Sequence, residues 1–134
     1  MEMKKLLLFL PLVVLFACTE PQPPGITLEC KFINKSGVEL SVVLYQGIND
    51  TVTLADREES TRKIEVEGGF DSPFFYCDSI GVIFNPGKKV LYKWSNGSAR
   101  NPLRAESYAI TKINEHHFLY QYTFTEQDYL NIPN

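Results

Sequence analysis

The sequence predicts an all-β fold, an antiparallel β-sandwich of about eight short strands with a short C-terminal helix. After residue 25, apolar and polar residues alternate with period two in most segments, which is the pattern of half-buried strands. Turn-forming residues separate these segments, and no long stretch has the helical period of 3.6 residues. Short strands without long helices are typical of a sandwich or a barrel, and we expect the sandwich.

The eight predicted strands follow one another along the chain. They cover residues 26–32, 38–44, 51–54, 62–67, 79–84, 89–94, 106–113 and 118–124. The first two should form a hairpin, because Asn34, Ser36 and Gly37 between them are turn formers. The fifth and sixth should pair across Pro86 and Gly87, which suit the two central positions of a type II turn.

The last strand should lead directly into the short helix. Thr125 is a suitable N-cap, and the acidic residues Glu126 and Asp128 fall in the first turn, where the helix dipole favours negative charge. The helix is expected to be one or two turns long. Tyr129 and Leu130 are expected to dock it against the sandwich.

Residues 1–17 have the features of a secretory signal peptide. A basic start is followed by an apolar run at residues 6–16, which is too short for the roughly 20 residues needed to span a bilayer. The segment from Leu15 to Cys18 resembles the bacterial lipobox, where the chain is cut and the cysteine thiolate takes a lipid. The alternative is an ordinary signal peptide with a chance cysteine, but we expect lipidation at Cys18.

The mature chain would then consist of a spacer and one domain. Residues 18–25 contain Pro21, Pro23 and Pro24, which favour a stiff, extended tether. Residues 26–134 are of the size of a single domain.

The charge of the chain bears on its partners and location. A formal net charge of −3 argues against a nucleic-acid partner and against adsorption to anionic lipid. Membrane contact is therefore expected from the lipid alone. Thr19 is not the aspartate that retains enteric lipoproteins at the inner membrane, so the outer membrane is expected. Its periplasmic and cell-surface faces are not distinguished.

Two cysteines remain if Cys18 is lipidated. Cys30 points to the apolar face of its strand, and export of the chain permits a disulfide between Cys30 and Cys77. Such a bond would stabilise the domain by roughly 4 kcal/mol in the chain-entropy model. The alternative is two buried free thiols. A catalytic cysteine is not expected, because nothing near either residue in sequence lowers its pKa.

No catalytic, metal or cofactor site is predicted. His116 and His117 are neighbours, so in a strand they point to opposite faces and cannot easily share one metal ion. A solvated turn is the expected role of this pair. The chain also lacks a glycine-rich phosphate-binding loop and a serine nucleophile motif.

Two loops interrupt the strand pattern and carry residues typical of contact surfaces. The candidate contact patch comprises Phe70, Phe74, Phe75, Tyr76, Arg100 and Arg104. The aromatic residues either plug an open end of the sandwich or form a binding surface, and we favour the plug. The two arginines either bind an anionic partner or lie in a solvated loop, and the loop is favoured.

The mature chain resembles small, uncharacterised β-sandwich lipoproteins of Gram-negative gut bacteria. The lipobox, residues 32–36, residues 78–80 and the ending at residues 122–129 carry this resemblance. It implies an envelope location and brings no functional residues. The sandwich is expected to resemble the immunoglobulin type, although Trp94 follows both Cys30 and Cys77 instead of lying between them.

The expected function is that of a membrane-anchored envelope lipoprotein with a non-enzymatic binding or structural role. Aromatic and arginine side chains, which dominate binding hot spots, favour a protein or glycan partner. The alternative is a small envelope hydrolase acting on glycan or peptidoglycan. Such an enzyme would need a concave pocket with converging polar groups.

Overall fold

The fold was obtained as a computed structural model, which describes residues 25–67, 72–97 and 100–133. The lipobox-like segment with Cys18, the predicted spacer before Gly25 and the aromatic Phe70 lie outside the described residues. Within the described ranges, no helix has both the length and the apolar character needed to cross a membrane.

The described chain is an all-β sandwich with a short C-terminal helix, as the sequence predicts. Its elements are β1 (Ile26–Lys35), β2 (Leu40–Tyr45), β3 (Asp50–Leu54), β4 (Glu59–Val66), β5 (Ser79–Phe84), β6 (Lys88–Lys93), β7 (Ala109–Asn114), β8 (His117–Thr125) and α1 (Glu126–Leu130). One sheet has the order β4-β1-β8-β7 and the other β3-β2-β5-β6. Each of the eight predicted strands has its counterpart among these elements.

The first six strands have the order of an immunoglobulin-type sandwich. With β1 taken as strand B, the second sheet runs C′-C-F-G and β4 takes the place of strand E beside β1. β8 occupies the place of strand A, but it runs parallel to β1. The other five strand pairs in the described chain are antiparallel.

The predicted hairpin of the first two strands is wrong. β1 and β2 belong to different sheets, so residues 36–39 form an arch that crosses the core. Leu28 and Phe32 of β1 face Leu40 and Val42 of β2 in the same buried layer. Period two determines which face of a strand is buried, but not whether the next strand lies beside it or across the core.

Asn34 holds this arch closed. It is fully buried, and its side-chain amide donates to the carbonyls of Val38, at 2.8 Å, and Leu54, at 3.1 Å. Its Oδ1 accepts hydrogen bonds from the Ser36 amide at 3.0 Å and the Ser36 hydroxyl at 2.7 Å. Its backbone carbonyl accepts from the Arg57 amide at 2.7 Å. One side chain therefore ties the arch to the connection between β3 and β4.

The hairpin of β5 and β6 confirms the predicted pairing, with a different turn. The Gly87 amide donates to the Phe84 carbonyl at 2.7 Å. Asn85 and Pro86 therefore occupy the central positions, one residue earlier than predicted.

Several strand boundaries also differ from prediction, two of them for a clear reason. β4 begins at Glu59, three residues before the predicted start, because its first residue pairs with Ile33 of β1. β7 begins at Ala109, later than predicted, because the chain before it forms a 3-10 turn, Ala105–Ser107. Tyr108 lies before the strand and is buried, with its hydroxyl donating to the Pro102 carbonyl.

The helix confirms the predicted N-cap. Thr125 accepts from the Asp128 amide at 3.3 Å, and the Asp128 carboxylate accepts from the Thr125 amide at 2.8 Å, which is a capping box. Tyr129 packs on Phe84 with ring centroids 5.7 Å apart. Leu130 is 57 % exposed, so its predicted docking is wrong. Adjacent helical side chains point about 100° apart, and Tyr129 already occupies the core-facing direction.

The two ends of the sandwich carry different surfaces. Gly25 leads into β1 at one end, here called the Gly25 end. Tyr45, Ser79 and Lys93 are neighbours in the sheet register, so the turn after β2, the loop before β5 and the loop after β6 lie at this end as well. The opposite end, the arch end, holds the arch, the β3–β4 connection and the start of α1. β1 has ten residues, so the ends are about 30 Å apart.

Candidate functional site

Phe74 belongs to the hydrophobic core. Its side chain is fully buried and stacks on Phe32, with ring centroids 5.6 Å apart and planes 5° from parallel. The Phe74 amide donates to the buried Ser72 hydroxyl at 3.2 Å, which fixes the start of the loop. Phe74 therefore plugs the sandwich, as favoured, and is not available as a contact residue.

Phe75 is the exposed member of the same loop. Its side chain is 51 % exposed, and its ring lies perpendicular to Tyr76 at 5.6 Å. Tyr76 is half-buried; burial raises its pKa, and a hydrogen bond to Arg62 opposes this. The aromatic residues of the candidate contact patch therefore differ in position. Phe75 is exposed, Tyr76 packs against it, and Phe74 is buried in the core.

Two further exposed apolar side chains lie at the Gly25 end. Trp94 is 37 % exposed, and its Nε1 donates to the Cys77 carbonyl at 2.8 Å, directly beside the aromatic loop. Ile48, at the tip of the turn between β2 and β3, is 86 % exposed. Sequence reasoning missed both. An isolated isoleucine among polar turn residues was the available signal for Ile48.

Arg100 joins a loop to the end of the sandwich. Its Nε donates to Asp128 Oδ1 at 3.0 Å, and one Nη donates to the Thr123 carbonyl at 2.6 Å. The guanidinium also lies over the Tyr122 ring, 4.5 Å from its centroid. Asp128 is the residue that caps α1, so Arg100 connects loop, strand and helix. These contacts give it a positioning role in the fold.

Arg104 similarly organises the loop in which it lies. Its Nη2 donates to the Trp94 carbonyl at 2.6 Å and its Nε to the Asn96 carbonyl at 3.2 Å. The neighbouring Asn101 is fully buried and donates to the Lys93 carbonyl at 2.9 Å. For both arginines a solvated loop was favoured over an anion-binding surface, and in the structure each guanidinium donates hydrogen bonds to groups of the protein itself.

Cys30 and Cys77 are both buried free thiols, which is the second of the two predicted alternatives. Burial raises the pKa of Cys30 to about 12, although a hydrogen bond with Tyr108 lowers it slightly. Burial also raises the pKa of Cys77 to about 11. Both thiols are protonated near neutral pH, so neither is a ready nucleophile.

The two histidines lie in different surroundings. His116 is exposed in the turn between β7 and β8, whereas His117 begins β8 and is partly buried. His117 Nε2 is 3.1 Å from Glu29 Oε2, without the geometry of a hydrogen bond, and Glu29 Oε1 is 3.5 Å from the Lys63 ammonium. In the part of the chain that the structure describes, no group of three His, Cys, Asp or Glu residues is placed to hold a metal ion.

A charged groove of about 530 Å³ lies at the arch end. It is lined by Ile33, Lys35, Ser36, Gly37, Asp56, Arg57, Glu59 and Glu126. Its walls come from the arch, the β3–β4 connection and the start of α1, and Asn34 joins the first two of these. The groove thus combines two cations and three carboxylates on a fixed backbone.

Arg57 is the most unusual residue of this groove. Its φ of 68° lies in the left-handed region, and its side chain is 90 % exposed. The Glu58 amide donates to the Ala55 carbonyl at 3.0 Å, so Arg57 is the third residue of a turn where glycine is normally preferred. Left-handed backbone costs a non-glycine residue roughly 1–2 kcal/mol. The chain accepts this cost and holds a guanidinium at the rim of the groove.

Two of the three carboxylates of the groove contact other residues of the protein. Asp56 Oδ1 accepts from the Gly37 amide at 2.9 Å, and Glu59 Oε1 lies 3.1 Å from the Lys31 ammonium. Sequence reasoning assigned no role to Asp56, Arg57 or Glu59, which fall between the third and fourth predicted strands. Only the arch brings this loop against the end of β1.

Comparison with protein-family models, curated proteins and solved structures found no match to this chain.

Proposed function

We propose that this protein is a lipid-anchored, non-enzymatic binding module of the outer membrane, which presents the charged groove to a protein or glycan partner. The lipobox and the proline-rich spacer support the anchor. The resemblance to envelope β-sandwich lipoproteins supports the location.

The observation that carries the proposal is the position of the groove relative to Gly25. The anchored spacer joins the domain at the Gly25 end, and the groove lies about 30 Å away at the arch end. A domain tethered at one end presents its opposite end away from the bilayer. Arg57 at the groove rim is also the type of residue that recurs in binding hot spots.

The groove chemistry suits a polar partner. Lys35 and Arg57 offer hydrogen-bond donors, and Asp56, Glu59 and Glu126 offer acceptors. A ligand with hydroxyl groups, or a peptide with charges of both signs, can pair with both kinds of group. A polymer that carries a strong charge of one sign would be repelled by the groove residues of the same sign.

The anchor is tested by replacing Cys18 with Ala in the full chain. The variant should accumulate as uncleaved precursor or move to the soluble fraction, because the thiolate that takes the lipid is absent. Thr19→Ala is the matched control and should remain in the membrane fraction. Membrane retention of Cys18→Ala at the mature mass would refute the anchor.

The partner surface is tested by photo-crosslinking in cells. A photoreactive amino acid at Arg57 should give a discrete adduct, protein or glycan. The same residue at Thr51, which is also exposed but lies outside the groove, should give none. Equal adducts at both positions, or none at either, would remove the support for a partner-binding groove.

One observation favours a second candidate, a small envelope hydrolase. Asp56, Glu59 and Glu126 line the same groove, and hydrolysis of glycans commonly uses two carboxylates. Under this candidate the purified protein would release soluble fragments from peptidoglycan or envelope glycan, and Asp56→Asn or Glu59→Gln would abolish the release. Absence of release by the unaltered protein would exclude this activity on those substrates.

A further inference from the structure

We propose that three exposed apolar side chains at the Gly25 end, those of Ile48, Phe75 and Trp94, form a docking surface for the phospholipid bilayer interface. This inference rests on the proposed lipid anchor. It assigns the membrane a second contact with the protein, made by side chains of the domain itself.

The strand register places the turns that carry Ile48 and Trp94 at one end of one sheet. Tyr45, Ser79 and Lys93 are direct neighbours across β2, β5 and β6. Ile48 follows the first of these strands and Trp94 the third. The turns that carry them meet at the same edge of the sandwich.

Phe75 is fixed to the same edge by backbone hydrogen bonds. The Asp78 amide donates to the Tyr45 carbonyl at 2.8 Å, which holds its loop against the end of β2. The Cys77 amide donates to the Phe74 carbonyl at 2.9 Å, so Phe75 lies in a tight turn. The indole N–H of Trp94 donates to the carbonyl of Cys77 in that turn.

All three residues are exposed large apolar residues of the described chain. Ile48, Phe75 and Trp94 are 86 %, 51 % and 37 % exposed. Exposed apolar clusters mark surfaces that contact another apolar phase, and tryptophan in particular favours the bilayer interface, where one part of its ring is apolar and the other hydrated.

The length of chain between Cys18 and Gly25 favours the bilayer as the partner of this docking surface. Residues 18–25 lead from the lipidated cysteine to the Gly25 end, and a chain of this length can span at most about 25 Å. The lipid anchor therefore keeps the apolar end of the domain close to the bilayer surface. A partner protein at this end would have to fit into the same narrow space.

The charge pattern indicates that apolar contact, and not electrostatics, drives the docking. Arg62 near this end is paired with Asp50, and the exposed Lys93 pairs in the sheet register with Ser79, which directly follows the exposed Asp78. A surface with both signs of charge gains little from anionic lipid. Docking should therefore occur on uncharged phosphatidylcholine and should depend little on salt.

The test uses the only tryptophan of the chain, Trp94, as its probe. The full lipidated protein is reconstituted into phosphatidylcholine vesicles with or without brominated acyl chains. Bromine quenches indole fluorescence at close range, so docking should produce a clear loss of Trp94 emission together with a blue shift. The loss should persist at high salt.

The matched control moves the tryptophan to the arch end. In the double variant W94F and L130W, the probe lies on the exposed position of α1, at the far end of the sandwich. This variant should show no quenching in the same vesicles. Replacing Ile48 and Phe75 with Ser should weaken quenching of Trp94 without lowering the melting temperature, because both side chains are exposed.

The possible results of this experiment distinguish a failure of the docking surface from a failure of the lipid anchor. Protein that fails to associate with the vesicles would refute the lipid anchor itself. Vesicle-bound protein whose Trp94 emission is unchanged by bromine would overturn the docking surface and leave the anchor intact. A photoreactive residue at Phe75 that captures protein instead of lipid in cells would likewise overturn it.

Discussion

Phe74 stacks face to face on Phe32, with centroids 5.6 Å apart, while the next residue, Phe75, points outward and is 51 % exposed. Two adjacent phenylalanines of one loop therefore have different roles. Phe74→Ala should lower the free energy of unfolding by about 3–5 kcal/mol, because it removes a large buried ring and leaves a cavity. Denaturant unfolding of the purified protein measures this loss.

Phe75→Ala is the matched comparison in the same loop. It removes the same ring from an exposed position and should change the free energy of unfolding by no more than about 0.5 kcal/mol. Equal losses in the two variants would mean that both rings are buried in solution, which would also contradict the docking surface.

Asn34 should be among the most sensitive polar positions of the domain. Asn34→Ala leaves the buried carbonyl of Leu54 without its side-chain donor and opens the arch, so we expect a loss of about 3 kcal/mol in unfolding free energy. Asn49→Ala, in an exposed turn, is the control and should be within about 0.5 kcal/mol of the parent. An unchanged stability of Asn34→Ala would show that the arch does not depend on this amide.

The buried thiols should make the domain sensitive to alkaline pH. Burial holds the pKa of Cys30 at about 12 in the folded state, against an ordinary value of 9.0. The unfolded state therefore loses its proton first as the pH rises, and the free energy of unfolding should fall between pH 9 and 12. Below pH 9 this contribution is fully present. Cys30→Ala should reduce the slope of stability against pH in that range.

Alkylation provides a direct readout of the same two residues. Mature protein unfolded without reductant should take up two alkyl groups, one each on Cys30 and Cys77, because both are free thiols. The native protein at pH 8 should be labelled far more slowly, since thiolate is the reactive form. A mass without labels after unfolding would establish the disulfide instead.

Arg57 is expected to lower the stability of the fold through its backbone strain while its side chain serves the groove. Arg57→Gly relieves the left-handed strain, so it should keep or raise the unfolding free energy by up to about 1 kcal/mol while removing the guanidinium from the groove. Arg57→Ala retains the positive φ and should give no gain, although it loses the same contact. Thermal unfolding of the three proteins tests this order. A destabilised Arg57→Gly would mean that the side chain contributes to folding.

The strands and the helix N-cap could be predicted because the patterns that indicate them involve residues close together in sequence. Period two in residues 26–134 indicated every strand that the structure has, because the alternation reflects which face of a strand is buried. The N-cap at Thr125 was equally readable, since a capping box involves only residues within one turn. The sequence also placed Cys30 on the apolar face of β1, where it is buried.

The groove could not be predicted because its parts are distant in sequence. Asp56 and Arg57 looked like ordinary loop residues, and Lys35 and Ser36 like a hairpin turn. Their approach depends on the hydrogen bond from Asn34 to Leu54, which joins residues twenty positions apart. The sequence shows a possible donor, Asn34, but it does not show which distant carbonyl accepts the hydrogen bond.

The sequence by itself determined the all-β class, the strands and the faces they bury, and its lipobox-like segment is the basis of the proposed anchor. Tertiary structure alone decided that β1 and β2 face each other across the core, that β8 runs parallel to β1, and that Phe74 is buried beside exposed Phe75. The physical reason is that alternation minimises exposed apolar surface strand by strand, whereas the choice of neighbour depends on how all the strands share one core.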